Sequence, residues 1–199
     1  MGFGELATAA IAGLGLGAFG WTFAEYALHN WYGHVAKGRN HFSREHLAHH
    51  ARKDHFAPNS QKAAAALGAG LAVFPLAIQA AGPAAGLGFG LGFVSMYLAY
   101  EYVHWAAHKI APRGAYSRWV RRNHFSHHFT SPRHNHGVTC GLWDRVFRTR
   151  RDPGLVRVPR RMAMVWLVDE HGDIKPEYAS DYVLTGRVPA TARQQAVAA

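Results

Sequence analysis

Histidine is the residue type in this sequence that could carry chemistry. The chain has 199 residues and 15 histidines, and ten of the histidines fall into four spaced groups. In chain order, the four groups are His29 and His34; His46, His49 and His50; His104 and His108; and His124, His127 and His128. A neutral imidazole is a good ligand for iron, zinc and copper. Ten imidazoles exceed what one ion can bind, so the pattern predicts two metal ions.

The spacing within the groups indicates helices. Residues i, i+3 and i+4 share one helix face, so each HxxHH sequence presents three imidazoles on one face. His29 and His34 are five residues apart, which a regular helix would separate by about 140° at 3.6 residues per turn. We therefore expect a distorted or ending helix at this pair. Each half of the chain has a pair followed by HxxHH, so we expect each half to supply five ligands.

Other polar residues near the groups could support the ligands. Glu25 lies one turn before His29, and Glu101 lies three residues before His104. We expect each carboxylate to accept a hydrogen bond from the second ring nitrogen of a ligand, with direct ligation as the open alternative. Three further histidines near the groups could join or support the site: His41, His134 and His136. The remaining histidines have no such pattern, and we expect them to be exposed to solvent: His55 and His171.

The elements that must position these groups are apolar. Residues 6–24 and 63–100 contain no charged residue. The shorter stretch would make about 28 Å of helix, close to the thickness of a bilayer's hydrocarbon core. The longer stretch breaks at Ala-Gly-Pro, residues 81–83, because proline ends a helix and glycine permits a turn. Buried helices of a soluble bundle are the alternative, but such helices normally carry a polar face. The sequence therefore predicts three membrane spans, at about 6–28, 63–81 and 84–104.

The distribution of charge predicts the orientation in the membrane. The formal net charge is +10, and all 22 Lys and Arg lie within residues 37–62 and 109–193. Three spans place both blocks on one side, and the positive-inside rule identifies that side as the cytoplasm. The N-terminus and the turn at 81–83 would then face outward from an inner or cell membrane. The basic charge indicates contact with anionic lipid rather than with nucleic acid. Four arginines could bind a lipid phosphate or carboxylate: Arg113, Arg118, Arg121 and Arg122.

Residues 15–20 match the GxGxxG pattern of dinucleotide-binding loops. That function requires a preceding strand within a βαβ unit, whereas this motif lies inside an apolar span. Glycines within a span let helix backbones approach closely, and we expect this role for the motif. A second series of glycines fits the same role: Gly86, Gly88, Gly90 and Gly92. The single cysteine, Cys140, excludes a disulfide scaffold and a cysteine-rich metal site.

In its four histidine groups the chain resembles the fatty acid hydroxylase superfamily, whose membrane enzymes include sterol desaturases and fatty acid 2-hydroxylases. Residues 137–149, Gly-Val-Thr-Cys-Gly-Leu-Trp-Asp-Arg-Val-Phe-Arg-Thr, resemble the segment that follows the last histidine group in that family. The likeness covers about residues 20–150. It implies a non-haem di-iron centre bound by the ten grouped histidines, in which zinc could replace iron. It also implies that Trp143 and Asp144 lie near the site or act as a packing and capping pair.

The resemblance further implies an oxidoreductase that uses O₂ and two external electrons to oxidise a C–H bond of a lipid. No catalytic residue is expected beyond the metal ligands. We expect hydroxylation or desaturation of a lipid, with a fatty acyl chain as the leading substrate, in lipid biosynthesis. The His-Pro-Gly-Gly motif of a fused cytochrome b5 domain is absent, so a separate ferredoxin or cytochrome b5-like protein with its reductase would supply electrons.

Two alternatives remain open from the sequence. A carotenoid hydroxylase would use the same di-iron site. A metal-binding or metal-transporting membrane protein is an alternative of another class, although a transporter should carry ionisable residues in the middle of its spans.

The predicted fold is an all-α integral membrane protein with a cytoplasmic helical cap that holds the dimetal site. Residues 1–150 would form the hydroxylase-like membrane domain, with histidine groups within 29–50 and 104–128. Residues 151–199 would form a cytoplasmic C-terminal tail. Within this tail we expect a short strand at 164–168, a turn at 170–173 and a frayed end at 190–199.

Overall fold

The computed structural model describes residues 2–187, which are mainly helical. The first half contains α1 (Phe3–Ala27), a π-helical segment (Leu28–Val35), α2 (His41–Ala51) and α3 (Asn59–Ala81). The second half contains α4 (Pro83–Lys109), α5 (Gly114–Phe129) and the short α6 (Leu142–Val146). Two strands follow, β1 (Val156–Pro159) and β2 (Tyr182–Thr185), together with 3₁₀ turns at Arg160–Met162 and Pro176–Tyr178.

Three helical segments are long and apolar enough to cross a membrane: Phe3–Val35, Asn59–Ala81 and Pro83–Lys109. The three predicted spans are therefore confirmed as helices of suitable length and composition. The break between the second and third falls at Gly82, whose φ of 80° is a conformation that glycine adopts without strain. Pro83 then occupies the first turn of α4, where the missing N–H of proline costs nothing.

The glycines of α4 and α1 let the backbones of these two helices touch. A Cβ atom built on Gly88 would lie 2.1 Å from the carbonyl oxygen of Ala10, and one on Gly92 would lie 2.0 Å from that of Leu14. Gly17 of α1 makes the reciprocal approach, since its Cβ would lie 2.0 Å from the carbonyl oxygen of Phe89. The GxGxxG motif thus lies within α1, where one of its glycines serves helix packing.

The other two glycines of α4 face α3. A Cβ on Gly86 would lie 2.4 Å from the backbone of Ile78, and one on Gly90 would meet the ring of Phe74 at 2.5 Å. These pairings show that α3 runs antiparallel to α4, whereas the pairings of α4 with α1 show that those two helices run parallel. The turn at 81–83 therefore lies at one end of the bundle, and the histidine-bearing ends of α1 and α4 lie at the other.

The prediction of an all-α fold is wrong for the C-terminal part. Strands β1 and β2 pair in parallel, with Val156 opposite Tyr182. The strand predicted at 164–168 is mostly a turn, and Val168 alone forms an isolated bridge, with Ile174. The turn predicted at 170–173 is present. The strands are four residues long, too short for an alternating pattern to reveal them, and their pairing depends on contacts distant in sequence.

The segment that carries these strands packs on the rest of the protein. Val156, Leu167 and Tyr182 are buried in one cluster with Phe125 of α5. The indole Nε1 of Trp166 donates a hydrogen bond of 3.1 Å to the carbonyl of Ala107 in α4. This segment therefore packs on α5 and on the end of α4. The frayed end expected at 190–199 lies outside the described residues.

Candidate metal centre

The π-helical segment Leu28–Val35 brings His29 and His34 together. Hydrogen bonds in a π-helix run from residue i to i+5, so residues five apart lie about one turn apart. The ring centroids of the two histidines are 5.3 Å apart. Both Nε2 atoms lie 2.9 Å from Nε2 of His127. The distortion of the helix that the spacing predicts is therefore present.

The ten grouped histidines lie together in two sets of five. Within each set, one ring nitrogen per residue lies within 4.8 Å of those of all the other members, and the side chains are buried or half-buried. Set one contains His29, His34, His46, His50 and His127. Set two contains His49, His104, His108, His124 and His128.

The two sets do not follow the two halves of the chain. His49 of the first half belongs to set two, and His127 of the second half belongs to set one. Adjacent residues project about 100° apart from a helix, so His49 points away from His50, and His127 from His128. The middle histidine of each HxxHH therefore reaches the opposite set. The expectation that each half would supply one set of five is wrong for this reason.

In set one, His29 and His127 direct the lone pairs of their Nε2 atoms towards each other. Nδ1 of His29 lies 2.5 Å from the carbonyl oxygen of His136, and Nδ1 of His127 lies 2.7 Å from that of His134. A carbonyl oxygen only accepts, so both Nδ1 atoms carry protons and both Nε2 atoms present lone pairs. These two Nε2 atoms are 2.9 Å apart. Two lone pairs at this distance repel each other unless a cation lies between them.

In set two, the tautomer of His49 is fixed in the same way. Its Nδ1 donates to the carbonyl of His55 at 2.7 Å, and its Nε2 lies 3.0 Å from Nε2 of His104. Burial lowers the pKa of His49 to about 4, which favours the neutral imidazole that can bind a metal ion. Burial is also the main cause of lowered pKa values at five further members of the two sets: His46, His50, His124, His127 and His128.

The spacing of the nitrogens fits a metal ion. Metal–imidazole bonds of about 2.1 Å at right angles separate the bound nitrogens by about 3.0 Å. The closest Nε2 pairs within the sets are 2.8–3.2 Å apart. Neutral imidazoles suit iron, zinc and copper, so both sets can hold an ion of this class.

Glu25 is buried next to set one but does not bond an imidazole. Its Oε1 accepts hydrogen bonds from the backbone N–H groups of Val138 and Thr139, at 2.5 Å and 2.9 Å. Its Oε2 accepts from the hydroxyl of Thr139. The expectation that it would orient a ligand directly is therefore wrong. The loop of residues 134–139 supplies the carbonyls that orient His29 and His127, and Glu25 fixes that loop.

Asp144 holds the same loop from the other side. Its carboxylate accepts from the backbone N–H groups of His136 at 2.9 Å and Gly137 at 2.8 Å, and from the hydroxyl of Thr149 at 2.7 Å. Burial opposes ionisation of Asp144, but these bonds and the His136 ring outweigh it and lower its pKa. The neighbouring Trp143 donates from Nε1 to the hydroxyl of Thr22 at 2.9 Å, which docks α6 on α1.

The other expected supporting residues have separate partners. Glu101 forms an ion pair of 2.7 Å with Lys62 and bonds no imidazole. His41 lies at the exposed start of α2, outside both sets. The ring of His134 bonds Ser131 at 3.0 Å, so this residue supports set one only through its carbonyl.

The two histidines expected to be exposed differ. The side chain of His171 is 78 % exposed, which confirms that prediction. The prediction for His55 is wrong, because its Nε2 lies 3.0 Å from Oε2 of Glu45 and its carbonyl orients His49.

The four arginines expected to bind a lipid head group do not line the cavities beside the histidines. Arg121 is buried and donates to carbonyl groups at the end of α4, at 2.7 Å and 3.0 Å. Helix ends leave such carbonyls without partners, which explains why this arginine turns inward. Arg122 pairs with Asp181 at 3.2 Å, and Arg118 contacts the C-terminal segment. Arg113 lines a separate cavity beside α5.

Sequence reasoning missed two asparagines that hold the 134–139 loop. Asn123 donates from Nδ2 to the carbonyl of Gly137 at 3.0 Å. Asn135 bonds both backbone groups of Arg151, each at 2.9 Å, and has a φ of 60°. Asparagine tolerates this left-handed conformation better than most residues. The position of Asn123 next to His124 is the only signal in the sequence that could have suggested its role.

Two adjoining cavities lead from the membrane helices to the histidines. The smaller, of about 80 Å³, is lined by His46 of set one and by His49 and His104 of set two. The larger, of about 200 Å³, lies between α1, α3 and α4 and reaches His29. Its walls are mainly apolar, and the two cavities share Tyr100 and other lining residues. A third cavity of about 480 Å³ lies between the same three helices, farther from the histidines.

The sequence model of the fatty acid hydroxylase family matches residues 14–149. The chain belongs to the fatty acid hydroxylase family. The matched region contains all ten histidines of the two sets and also Asp144. Membership of this family and the three apolar helices indicate that this hydroxylase-family protein resides in a membrane.

Curated relatives of this hydroxylase-family protein are fatty acyl 2-hydroxylases. It is 28 % identical over 141 residues to a dihydroceramide fatty acyl 2-hydroxylase of Arabidopsis thaliana, covering 67 % of this chain and 58 % of the relative. It is 26 % identical over 149 residues to the fatty acid 2-hydroxylase of Mus musculus, covering 67 % of this chain and 38 % of that relative. The chain thus spans less than two thirds of the length of these relatives. No solved structure matches it.

Proposed function

We propose that this protein is a membrane di-iron hydroxylase that uses O₂ and electrons from a separate donor protein to oxidise the acyl chain of a lipid. The observation that carries the proposal is the pair of buried histidine sets, whose lone pairs converge at the end of an apolar cavity. Family membership and the names of the curated relatives support hydroxylation of an acyl chain over desaturation.

The histidines would hold two iron ions, which when bound would supply activation of O₂ and accept electrons from the donor. The protein's own part is to hold the ligand nitrogens in place before the metal arrives. The carbonyls of His134 and His136 fix the tautomers of His127 and His29. Hydrogen-bonded partners of this kind typically change metal affinity or activity 10- to 100-fold when removed, by order of magnitude.

The 200 Å³ cavity would receive the acyl chain. Ala65 and Ala69 of α3 leave room on one wall, and the rings of Trp21 and Tyr97 lie 4.9 Å apart on another, tilted by 57°. An apolar chain enters such a cavity from the lipid phase without crossing water. The ion pair of Lys62 and Glu101 lines the smaller cavity, and Glu101 lines both, so the polar end of the lipid would lie on this side.

The orientation and the electron donor belong to the same proposal. Among the residues that the structure describes, the Lys and Arg lie in the segments that follow α1 and α4 at the end of the bundle with both histidine sets, and the positive-inside rule favours the cytoplasm for this end. A basic surface attracts acidic partners, so an acidic ferredoxin or a cytochrome b5-like protein suits the role of donor.

Lipid mass spectrometry of cells with and without the protein tests the activity. We expect acyl chains that gain one oxygen atom in cells that express the wild type. His127→Ala should abolish this product, because it removes a nitrogen that contacts three other members of set one. The matched control His171→Ala changes an exposed histidine and should leave the product unchanged.

Other outcomes identify the alternatives. Loss of two hydrogen atoms from acyl chains would indicate a desaturase, and altered carotenoids would indicate a carotenoid hydroxylase. A purified protein that binds two metal ions but changes no lipid would contradict the proposal and favour a metal-binding function.

A further inference from the structure

The two larger cavities among the membrane helices lie along the same face of α4. Tyr97 and Glu101 line the 200 Å³ cavity that reaches the histidines. Ala85 and Phe89 line the 480 Å³ cavity farther from the histidines. Residues four apart share one helix face, so positions 85, 89, 93, 97 and 101 form one stripe along α4. Of the five side chains in this stripe, that of Phe93 alone lines neither cavity, and it lies between them.

The ring of Phe93 packs between residues that line the two cavities. It meets the ring of Trp21 edge-on with centroids 5.3 Å apart, and Trp21 lines the 200 Å³ cavity. It also lies 6.2 Å from the ring of Phe89, which lines the 480 Å³ cavity. A Cβ on Gly20 of α1 would lie 3.3 Å from the ring of Phe89 and 3.8 Å from that of Phe93. The absence of a side chain at Gly20 therefore lets both rings pack against α1.

We propose that Phe93, packed on Trp21, closes the end of the substrate cavity and sets the longest acyl chain that the protein accepts. This inference rests on the proposed function, in which the 200 Å³ cavity receives the acyl chain. A chain that extends from the histidines past Tyr97 would meet these two rings.

Removal of the Phe93 ring would join the two cavities. The acyl chain would then continue along the same face of α4 as far as Ala85, eight residues from Phe93. Eight residues of helix span about 12 Å. An extended chain advances about 1.2 Å per bond, as the peptide backbone does. The joined cavity would therefore accommodate up to about ten further carbon atoms.

Saturated fatty acids of increasing length, fed to cells that express the full-length protein, test this role of Phe93. Lipid mass spectrometry then measures the length of the acyl chains that gain one oxygen atom. We expect an upper limit of length for the wild type, and we expect Phe93→Ala to extend that limit by up to about ten carbon atoms. Phe74→Ala is the matched control, because its ring packs between α3 and α4 but lines neither cavity. The control should keep the wild-type limit.

A substitution on the opposite wall should have the opposite effect. Ala69 of α3 lines the 200 Å³ cavity, so the ring introduced by Ala69→Phe would fill space that the acyl chain needs. We expect this variant to lower the upper limit of product length. Phe93→Leu gives a second test at Phe93 if the alanine variant does not fold, and circular dichroism of the purified proteins shows which variants are folded.

The outcomes separate this inference from the proposed function. A wild type that hydroxylates acyl chains, with a folded Phe93 variant of the same upper limit, would overturn the role of Phe93 alone. The tail of the substrate would in that case leave the cavity between the helices instead of meeting the Phe93 ring. A wild type that oxidises no lipid would overturn the proposed function and this inference with it.

Discussion

Replacing Gly17 by alanine should push α1 away from α4. The new Cβ would lie 2.0 Å from the carbonyl oxygen of Phe89, whereas an ordinary contact begins near 3.4 Å, so the helices must separate by about 1.4 Å. Overpacking costs about 1–3 kcal/mol, and a clash between two backbones belongs at the upper end. Alanine favours the helix by about 1 kcal/mol over glycine. The net loss of about 2 kcal/mol corresponds to a Tm lower by roughly 4–8 °C.

Gly15→Ala is the matched control for this experiment. Gly15 lies in the same helix two residues earlier, and a Cβ there meets nothing within 4 Å. This variant should keep or raise the Tm, by at most about 4 °C, because only the helix preference changes. Thermal unfolding in one detergent, followed by intrinsic fluorescence, measures both variants. Equal Tm values for Gly17→Ala and Gly15→Ala would refute the close approach of α1 and α4.

Three further predictions concern the metal centre and its supports. Glu25→Ala leaves three buried donors without an acceptor, at a cost of about 1 kcal/mol or more each. The Tm should therefore fall by roughly 6–12 °C, and elemental analysis should find less metal. An unchanged Tm would refute the role of Glu25 in holding the loop of residues 134–139. The double variant His49→Ala with His128→Ala removes two ligands of set two and should retain one metal ion. The double variant His49→Ala with His46→Ala removes one ligand from each set and should retain neither ion. The reverse result would contradict the assignment of His49 to the same set as His128. Arg121→Met should lower the Tm by roughly 4–8 °C, because the buried carbonyls at the end of α4 lose their donor; an unchanged Tm would contradict this contact.

The membrane helices could be predicted from the sequence because their signal is local. An uncharged stretch predicts a span by its own composition, and Gly82 and Pro83 mark the break within the longer stretch. The distorted helix between His29 and His34 was also predictable, because five residues do not make a whole number of regular turns. Each of these inferences needs only residues that are close together in the chain.

The parts that could not be predicted depend on contacts between distant residues. Helical periodicity places His49 and His50 on the same broad face of α2, but it does not predict that the two imidazoles join different sets. The carbonyls of His134 and His136 act through backbone atoms, which every residue has, so no residue type reveals them. The inward turn of Arg121 depends on where α4 ends relative to α5. The pairing of β1 with β2 likewise depends on residues that are far apart in the chain.

The exchange of histidines between the sets bears on how the protein assembles. His50 and His127 are 77 residues apart and meet in set one, and His49 and His104 are 55 apart and meet in set two. A bound ion would therefore act as a cross-link that closes a long loop and reduces the entropy of the unfolded chain. Each ion alone would tie α2 to the second half of the chain. Metal binding would then be a late step of assembly, which links α2 to α5 after the spans have entered the membrane. Either ion alone would be enough to form this link.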